Sequence, residues 1–443
     1  LEAGSQWTAD GTNHLTLNGE NGNDFAFRII SATYVHSNGT IVINNGGGVA
    51  HAAIAAGIAT STNGIYDLTI SGGGTTCEIY GDTTIHRNME AGGSTTVLRG
   101  ALTVNGNLTV EGTLNTRYSS TDRDLTVLGA LDVGSSGALT CNSSAVQCNG
   151  LRTTGGTVNL PDASGSFTVK GTEFSGYGIF DRVGSGNIVH NSGTVTWDTG
   201  GTSTMYALST FNNIATTTSG TTLRWFSALT LAGTLTVAAN TTVHEHSSAG
   251  GAFTVGGNVS VEGTLGDSSA YSAYEFGSLY INNGGTYNAT SGTTTIDDIN
   301  SSSGNRSFRL HTGGTFTHNK GKFLFNKNGD QFIGSTPSDA TITFYDLEVS
   351  SSGSAAKQIR DMDLTVLNNL TVGANCNFTN EQSVDIITVL GQSILNGKID
   401  VNAAGGSHHL GAMTINSGGE FKVGSTTNYV TSLRNVGGTV TQV

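Results

Sequence analysis

Four sequence markers recur in one fixed order, three times, along a chain of 443 residues. A His-x-x-Gly segment comes first, at His36 to Gly39, His190 to Gly193 and His318 to Gly321. Tyr66-Asp-Leu68, Tyr206-Ala-Leu208 and Tyr345-Asp-Leu347 follow, at almost equal intervals. The third marker spans Leu102 to Leu114, Phe253 to Leu265 and, more loosely, Ile387 to Ile399. The fourth is Gly129-Ala-Leu131, Gly277-Ser-Leu279 and Gly411-Ala-Met413. A long period, about 140 residues here, kept in order means a tandem array whose copies fold alike. One continuous solenoid is expected: a partial N-terminal repeat or cap over 1–65, repeats over 66–205 and 206–344, and a partial third repeat over 345–443.

Each long repeat contains shorter ones. Leu102-Thr-Val-Asn-Gly-Asn-Leu-Thr-Val110 alternates apolar residues with Thr and breaks at Asn-Gly, and similar pieces run from Leu229 to Val237 and from Leu364 to Val372. Alternation of period two buries one face of a strand, and Gly or Asn supplies the left-handed corner. Gly accounts for 64 residues and Pro for 2, without Gly at every third position, which excludes collagen. Gly, Thr, Ser and Asn in such numbers also weaken any long helix. Short strands with no Pro-rich or polar linker between repeats favour stacked coils over a string of antiparallel sandwiches. The expected fold class is therefore all-β, a parallel β-helix (β-solenoid) with under about 10% helix. At about 20 residues per coil this makes roughly 22 coils. Leu102, Val104, Leu108 and Val110, with their copies Phe253, Val255, Val259 and Val261, should form inward ladders.

The net charge of −13, from 19 basic and 32 acidic residues without a Lys/Arg block, excludes a phosphate-neutralising surface and so a nucleic-acid partner. An anionic membrane is disfavoured for the same reason. The longest apolar stretch, Val49 to Ala59, is too short to insert across a bilayer and reads as a short helix or cap. Leu1 in place of Met, and a Val443 that falls inside a repeat, lead us to expect a processed or partial chain. The four cysteines are too scattered for a disulfide framework. Cys141 and Cys148 pair as a local staple or are small buried hydrophobes, and Cys77 shares strand parity with Ile79. No Cys/His spacing matches zinc.

The Leu-Thr-Val-x-Gly-Asn-Leu-Thr-Val coil, which covers about two thirds of the chain, resembles the β-helical and β-solenoid proteins of bacteriophage virions, such as tail fibres and tailspikes, and the repeat regions of bacterial surface adhesins. The resemblance implies a virion structural protein, a fibre or spike contacting the host surface. It also implies a homotrimer or ordered array among other virion proteins, with host surface glycans as candidate contacts. A bacterial cell-surface adhesin or stalk is the alternative, and a polysaccharide depolymerase the third reading. No enzyme activity and no cofactor are expected.

Two Asp-x-Asp pairs precede matching strands, Asp122-Arg-Asp124 and Asp361-Met-Asp363. With the following apolar residues inward, both carboxylates of a pair point outward about 7 Å apart. That separation suits an inverting glycosidase, or contact with a glycan or cation, although solvating charge on a neutral face needs no such role. Neither pair has an aromatic cluster beside it in the sequence. Asp297-Asp298 should face opposite sides of a strand. His244-Glu-His246 puts two imidazoles on one face without an evident third ligand, and His408-His409 reads as surface. The repeated His36, His190 and His318 sit where a coil begins, which predicts a turn hydrogen bond. Trp197, Trp225 and Phe226 are the candidate interface aromatics of the trimer, since bulky rings in so sparse a composition are core or contact.

Overall fold

The computed structural model describes the chain apart from residues 1–5, 9–13, 19–25, 29–32, 45–51, 56–63, 74–75, 172–179, 183–185, 207–209, 248–250, 268–271, 302–303, 305, 337–339, 381–384, 402–405, 425–426 and 443. Among the described residues there is no α-helix. The fold is a parallel β-solenoid of about 16 turns of roughly 21 residues each. It divides into two compact units, Leu1–Leu223 and Arg224–Val443.

In the first unit the strands stack in three parallel columns, with Leu125–Val133 and Ala145–Thr153 each running through two of them. One column stacks Phe27–Arg28, Ala52–Ala55, Thr76–Ile79, Thr95–Leu98, Thr113–Asn115, Ala138–Thr140, Thr157–Asn159 and Asn187–Val189. A second places Leu102 over Thr83 and under Leu125, with Thr103 beside Thr84 and Thr126. The third sets Leu108 between Met89 and Leu131. Because each register is in phase, inward residues lie over inward residues. Leu102, Val104, Leu108 and Val110 are buried as the alternation requires, each such side chain stabilising the coil by about 1.5–3 kcal/mol.

The second unit repeats the arrangement. One column runs from Leu229–Leu231 through Phe253–Val261, Tyr274–Ile281, Thr293–Ile296 and Lys322–Phe325 to Asp346–Val349, and on through Asn369–Val372, Gln392–Leu395 and Ala412–Asn416 to Ser432–Val436. Phe253, Val255, Val259 and Val261 are buried, as expected of the copies. Phe308, Phe316, Phe323, Phe325 and Phe344 fill the middle of this unit, the Phe323 ring lying 5.2 Å from Phe316 and 5.0 Å from Phe344.

The corners carry the rest of the sequence signal. Gly106 follows Asn105 at a corner where a Cβ would fall 2.4 Å from the Arg87 carbonyl oxygen, so only glycine lets the coils approach. Beside it, side-chain oxygens climb from coil to coil. Asp67 accepts the Asn88 amide, Asn88 accepts the Asn107 amide and Asn107 accepts the Ala130 amide, each at 2.9 Å. The middle residue of the Tyr-Asp-Leu marker does the same in the second unit, where Asp346 accepts the Asn369 amide at 2.9 Å. In the second copy, Ala207 and Leu208 lie outside the described residues.

Two expectations change. Coil length is close to the expected value of about 20 residues, but the fold has about 16 turns and not roughly 22, and the steps vary: Thr84 pairs with Thr103, a short step along the chain, whereas Val158 pairs with Ile188, a much longer one. The apolar stretch from Val49 to Ala59 is not a helix where it is described. Ala52–Ala55 is a strand, with Ile54 fully buried and paired to Phe27, because a neighbouring coil on each side offers ladder partners.

Candidate functional site

Neither Asp-x-Asp pair forms the two-carboxylate face that its spacing suggests. Residues 116–123 leave the parallel coil as a small antiparallel hairpin, with Arg117 opposite Asp122 and Tyr118 opposite Thr121, closed by the Arg123 amide on the Thr116 carbonyl. Asp122 therefore ends one strand, and Asp124 precedes another that begins at Leu125. Arg117 grips Asp122 through Nε at 2.8 Å and Nη2 at 3.0 Å. That hydrogen-bonded guanidinium holds the Asp122 carboxyl below the usual carboxylate range. Asp124 accepts the Ala145 amide at 3.2 Å. In the second unit Asp361 has φ of 56°, so the chain turns there and the strand alternation starts only at Met362. Asp361 pairs with Arg306 at 2.6 Å, and Asp363 accepts the Ile386 amide at 2.9 Å. All four carboxylates are engaged in holding corners.

The hairpin nonetheless brings an aromatic group beside Asp122, which the sequence did not suggest. The Arg99 guanidinium lies over Tyr80, 4.3 Å from its ring centre, and over Tyr118 at 3.6 Å, while Glu78 fixes its Nε at 2.7 Å. Tyr80 and Arg99 stand one coil apart, and Tyr118 follows Arg99 at the same sequence interval inside the hairpin; that regular spacing is the signal that could have found them. Next to this stack, Ser143 links Arg117, at 3.2 Å, to Asp162, at 2.7 Å. The result is a solvent-facing surface of stacked rings edged by hydroxyl, carboxylate and guanidinium groups. Such a surface can stack on a sugar face and hydrogen-bond its hydroxyls.

A second polar surface of the first unit is a shallow cleft of about 370 Å³. Asp67 and Arg87 form a two-pronged ion pair at its edge, at 3.0 and 2.6 Å, and Glu90, Asn107 and Thr109 line it. In the second unit, Asp297 is raised above the usual carboxylate range by partial burial and by a hydrogen bond shared with Glu275. Asp298 pairs instead with Lys327. Its partial burial is outweighed by that contact, which holds the carboxyl low.

His244 lies in the strand Thr242–Glu245 and His246 one residue past its end, on either side of buried Glu245, and the His246 ring packs at a tilt on Phe226 at 5.2 Å. Among the described residues, no three His, Cys, Asp or Glu side chains converge to hold a metal ion. His408 is not a surface residue. It is fully buried and accepts the Ile387 amide at 3.0 Å, because the strand bearing it is covered by a neighbouring coil on each side. His409 faces out and stacks on Tyr429 at 4.6 Å.

The interface assignment of the tryptophans is also corrected. Trp197 and Trp225 are 0% and 1% exposed. Trp197 packs on Phe180 at 5.7 Å in the first unit, and Trp225 on Phe253 at 4.6 Å in the second. Both sit at inward strand positions, where the core is wide enough for an indole. Phe226, one residue on, faces outward and is half-buried. The four cysteines are free and buried, so Cys141 and Cys148 are core residues and not a staple.

The chain matches no family model, no curated protein and no solved structure.

Proposed function

We propose that the chain is a structural element of a virion, a fibre- or spike-like solenoid that contacts the host surface. The observation that carries this reading is the in-phase stacking within each unit. Apolar side chains are consumed in the core ladders, and the exterior is left to rows such as Thr84, Thr103, Thr126, Gln147, Thr168 and Thr196. A body of this kind is stiff, and its outer face is free to vary without disturbing the fold. The Tyr80–Arg99–Tyr118 stack and its polar edge supply chemistry suited to a surface glycan. Immunogold labelling with an antibody against the chain tests the assignment: label is expected on purified phage particles. Label confined to bacterial envelopes replaces it with the adhesin or stalk reading, and reducing ends released from capsular polysaccharide replace it with the depolymerase.

With both tryptophans in the core, Phe226 remains of the three aromatics, and the other contacts of a trimer have to come from elsewhere. Leu128, within the strand Leu125–Val133, and Leu390, directly after Ile387–Val389, are exposed by 46% and 65%, and both suit a contact with a second copy. Light scattering coupled to size exclusion should give a particle of three times the 45.4-kDa chain. The double variant Leu128→Asp, Leu390→Asp should run as a monomer. A wild-type monomer at micromolar concentration ends the trimer proposal.

A further inference from the structure

The His-x-x-Gly marker is one turn built three times. In each copy the glycine amide closes on the histidine carbonyl, Gly39 on His36 at 2.7 Å, Gly193 on His190 at 3.1 Å and Gly321 on His318 at 2.9 Å. The two central residues are left-handed in every case: Ser37 and Asn38, Asn191 and Ser192, Asn319 and Lys320. The imidazole folds back onto its own turn. Its Nδ1 accepts the amide two residues on, from Asn38 at 3.0 Å, Ser192 at 3.3 Å and Lys320 at 3.0 Å. An Nδ1 that accepts must keep its lone pair, so each ring is neutral with its proton on Nε2.

The chain also shows the same device without a titrating ring. At Asp162 the Gly165 amide closes on the carbonyl at 3.1 Å, and Oδ1 accepts the Ser164 amide at 2.9 Å. A carboxylate keeps that acceptor to far lower pH than an imidazole keeps its own. The environment of the histidines adds to the contrast. His36 is 2% exposed and lies 4.8 Å from the Tyr66 ring and 5.3 Å from His86, so charging either imidazole places a cation against the other. His318 stacks on Tyr345 at 5.8 Å, with Lys320 in its turn, and partial burial followed by that lysine holds its pKa below the usual histidine range. At His190 the central turn residues, Asn191 and Ser192, are uncharged, and the charged group on the neighbouring coil is Asp162, whose turn lies in register with this one.

We propose that the three histidine turns are acid-released latches. Protonation converts Nδ1 from acceptor to donor, the amide two residues on loses its partner, and the corner opens between the strands it joins. These are Thr33–Val35 and Thr40–Asn44, Asn187–Val189 and Thr194–Trp197, and Thr315–Thr317 and Lys322–Phe325. The Nδ1 acceptor is lost on protonation, so the latches hold with neutral rings and open as the rings take up a proton; at His318 the folded state binds that proton less readily than the open one.

Hydrogen exchange read by mass spectrometry on the intact chain tests this, at about pH 7.5 and about pH 5.0, after correction for intrinsic exchange rates. Protection of peptides covering 36–44, 190–197 and 318–325 should fall about tenfold at the lower pH, the equilibrium weight of one ordinary hydrogen bond. The peptide covering 162–169 should not change. His318→Asn retains an oxygen acceptor in Asx-turn geometry and has no ring to protonate, so its turn should stay closed at both pH values while the other two open. His190→Asn gives the same reading at an independent corner if the first variant folds poorly. Equal protection at both pH values, loss that includes 162–169, or a pH response that survives in the Asn variants overturns the proposal.

Discussion

Phe323→Ala is expected to destabilise the second unit by about 3–5 kcal/mol. Phe323 is 1% exposed and touches rings on several coils, with centroids at 5.2 Å to Phe316, 5.0 Å to Phe344, 5.9 Å to Phe308 and 6.3 Å to Tyr287. Those rings meet largely edge to face, which adds to area burial, and a closed coil has little freedom to collapse around the missing one. The loss should appear as a lower urea midpoint for the unit with an unchanged slope. The contrasting variant is Thr254→Ala, an outward position between Thr230 and Glu275, which should shift the midpoint by less than about 0.5 kcal/mol. Equal effects at the two sites would mean that the inward and outward faces have been exchanged.

Raising the pH from about 8 to about 10.5 should lower the stability of the first unit, and the buried thiols set the sign. Burial pushes the Cys77 and Cys148 thiols up to about 12 from an ordinary 9, and Cys141 and Cys376 move the same way. A folded pKa above the unfolded value gives stability that is complete below the unfolded pKa and is lost as pH rises towards the folded one. By about pH 10.5 the unfolded thiolates of Cys77 and Cys148 favour unfolding by roughly 2 kcal/mol each. One buried group works in the opposite direction. Lys357 is fully buried, its Nζ held at 2.7 Å by the Lys327 and Gly329 carbonyls and by Gln331 Oε1, and burial lowers it to about 8 from 10.5. Its deprotonation in the folded state returns at most about 3 kcal/mol over the same interval. Cys77, Cys141 and Cys148 lie in the first unit, whereas Lys357 lies in the second with Cys376. The urea midpoint of the first unit should therefore fall with pH, helped by the raised Tyr34 and Tyr80 hydroxyls, and the fall should shrink by about half in a Cys77→Ala, Cys148→Ala variant. A first-unit midpoint that holds steady or rises towards pH 10.5 overturns the assignment to the thiols. The same burial predicts that a thiol reagent at neutral pH labels none of the four cysteines until the chain is unfolded.

The inward ladders were legible because strand alternation is local. Leu102, Val104 and Phe253 point inward simply because successive side chains leave a strand on opposite sides. The histidine turns were legible for the same reason, since a glycine three residues after the histidine and a ring acceptor within the turn need no distant partner. What escaped the sequence depends on which residues come to lie one coil apart. Asp122 and Asp361 read as members of outward pairs until the 116–123 hairpin and the left-handed φ at Asp361 remove them from the strands. Tyr80 and Arg99 meet because the coil between them is short, and Tyr118 reaches the stack from the 116–123 hairpin, whereas the longer step from Val158 to Ile188 sets a different register elsewhere. Lys357 occupies an inward place in an alternating strand, and only the carbonyls supplied by residues 327–331 make an ammonium stable there. Alternation is fixed by the covalent geometry of neighbouring residues. Registry between coils is set by the lengths of the loops that join them, and it takes the folded stack to decide which polar groups meet.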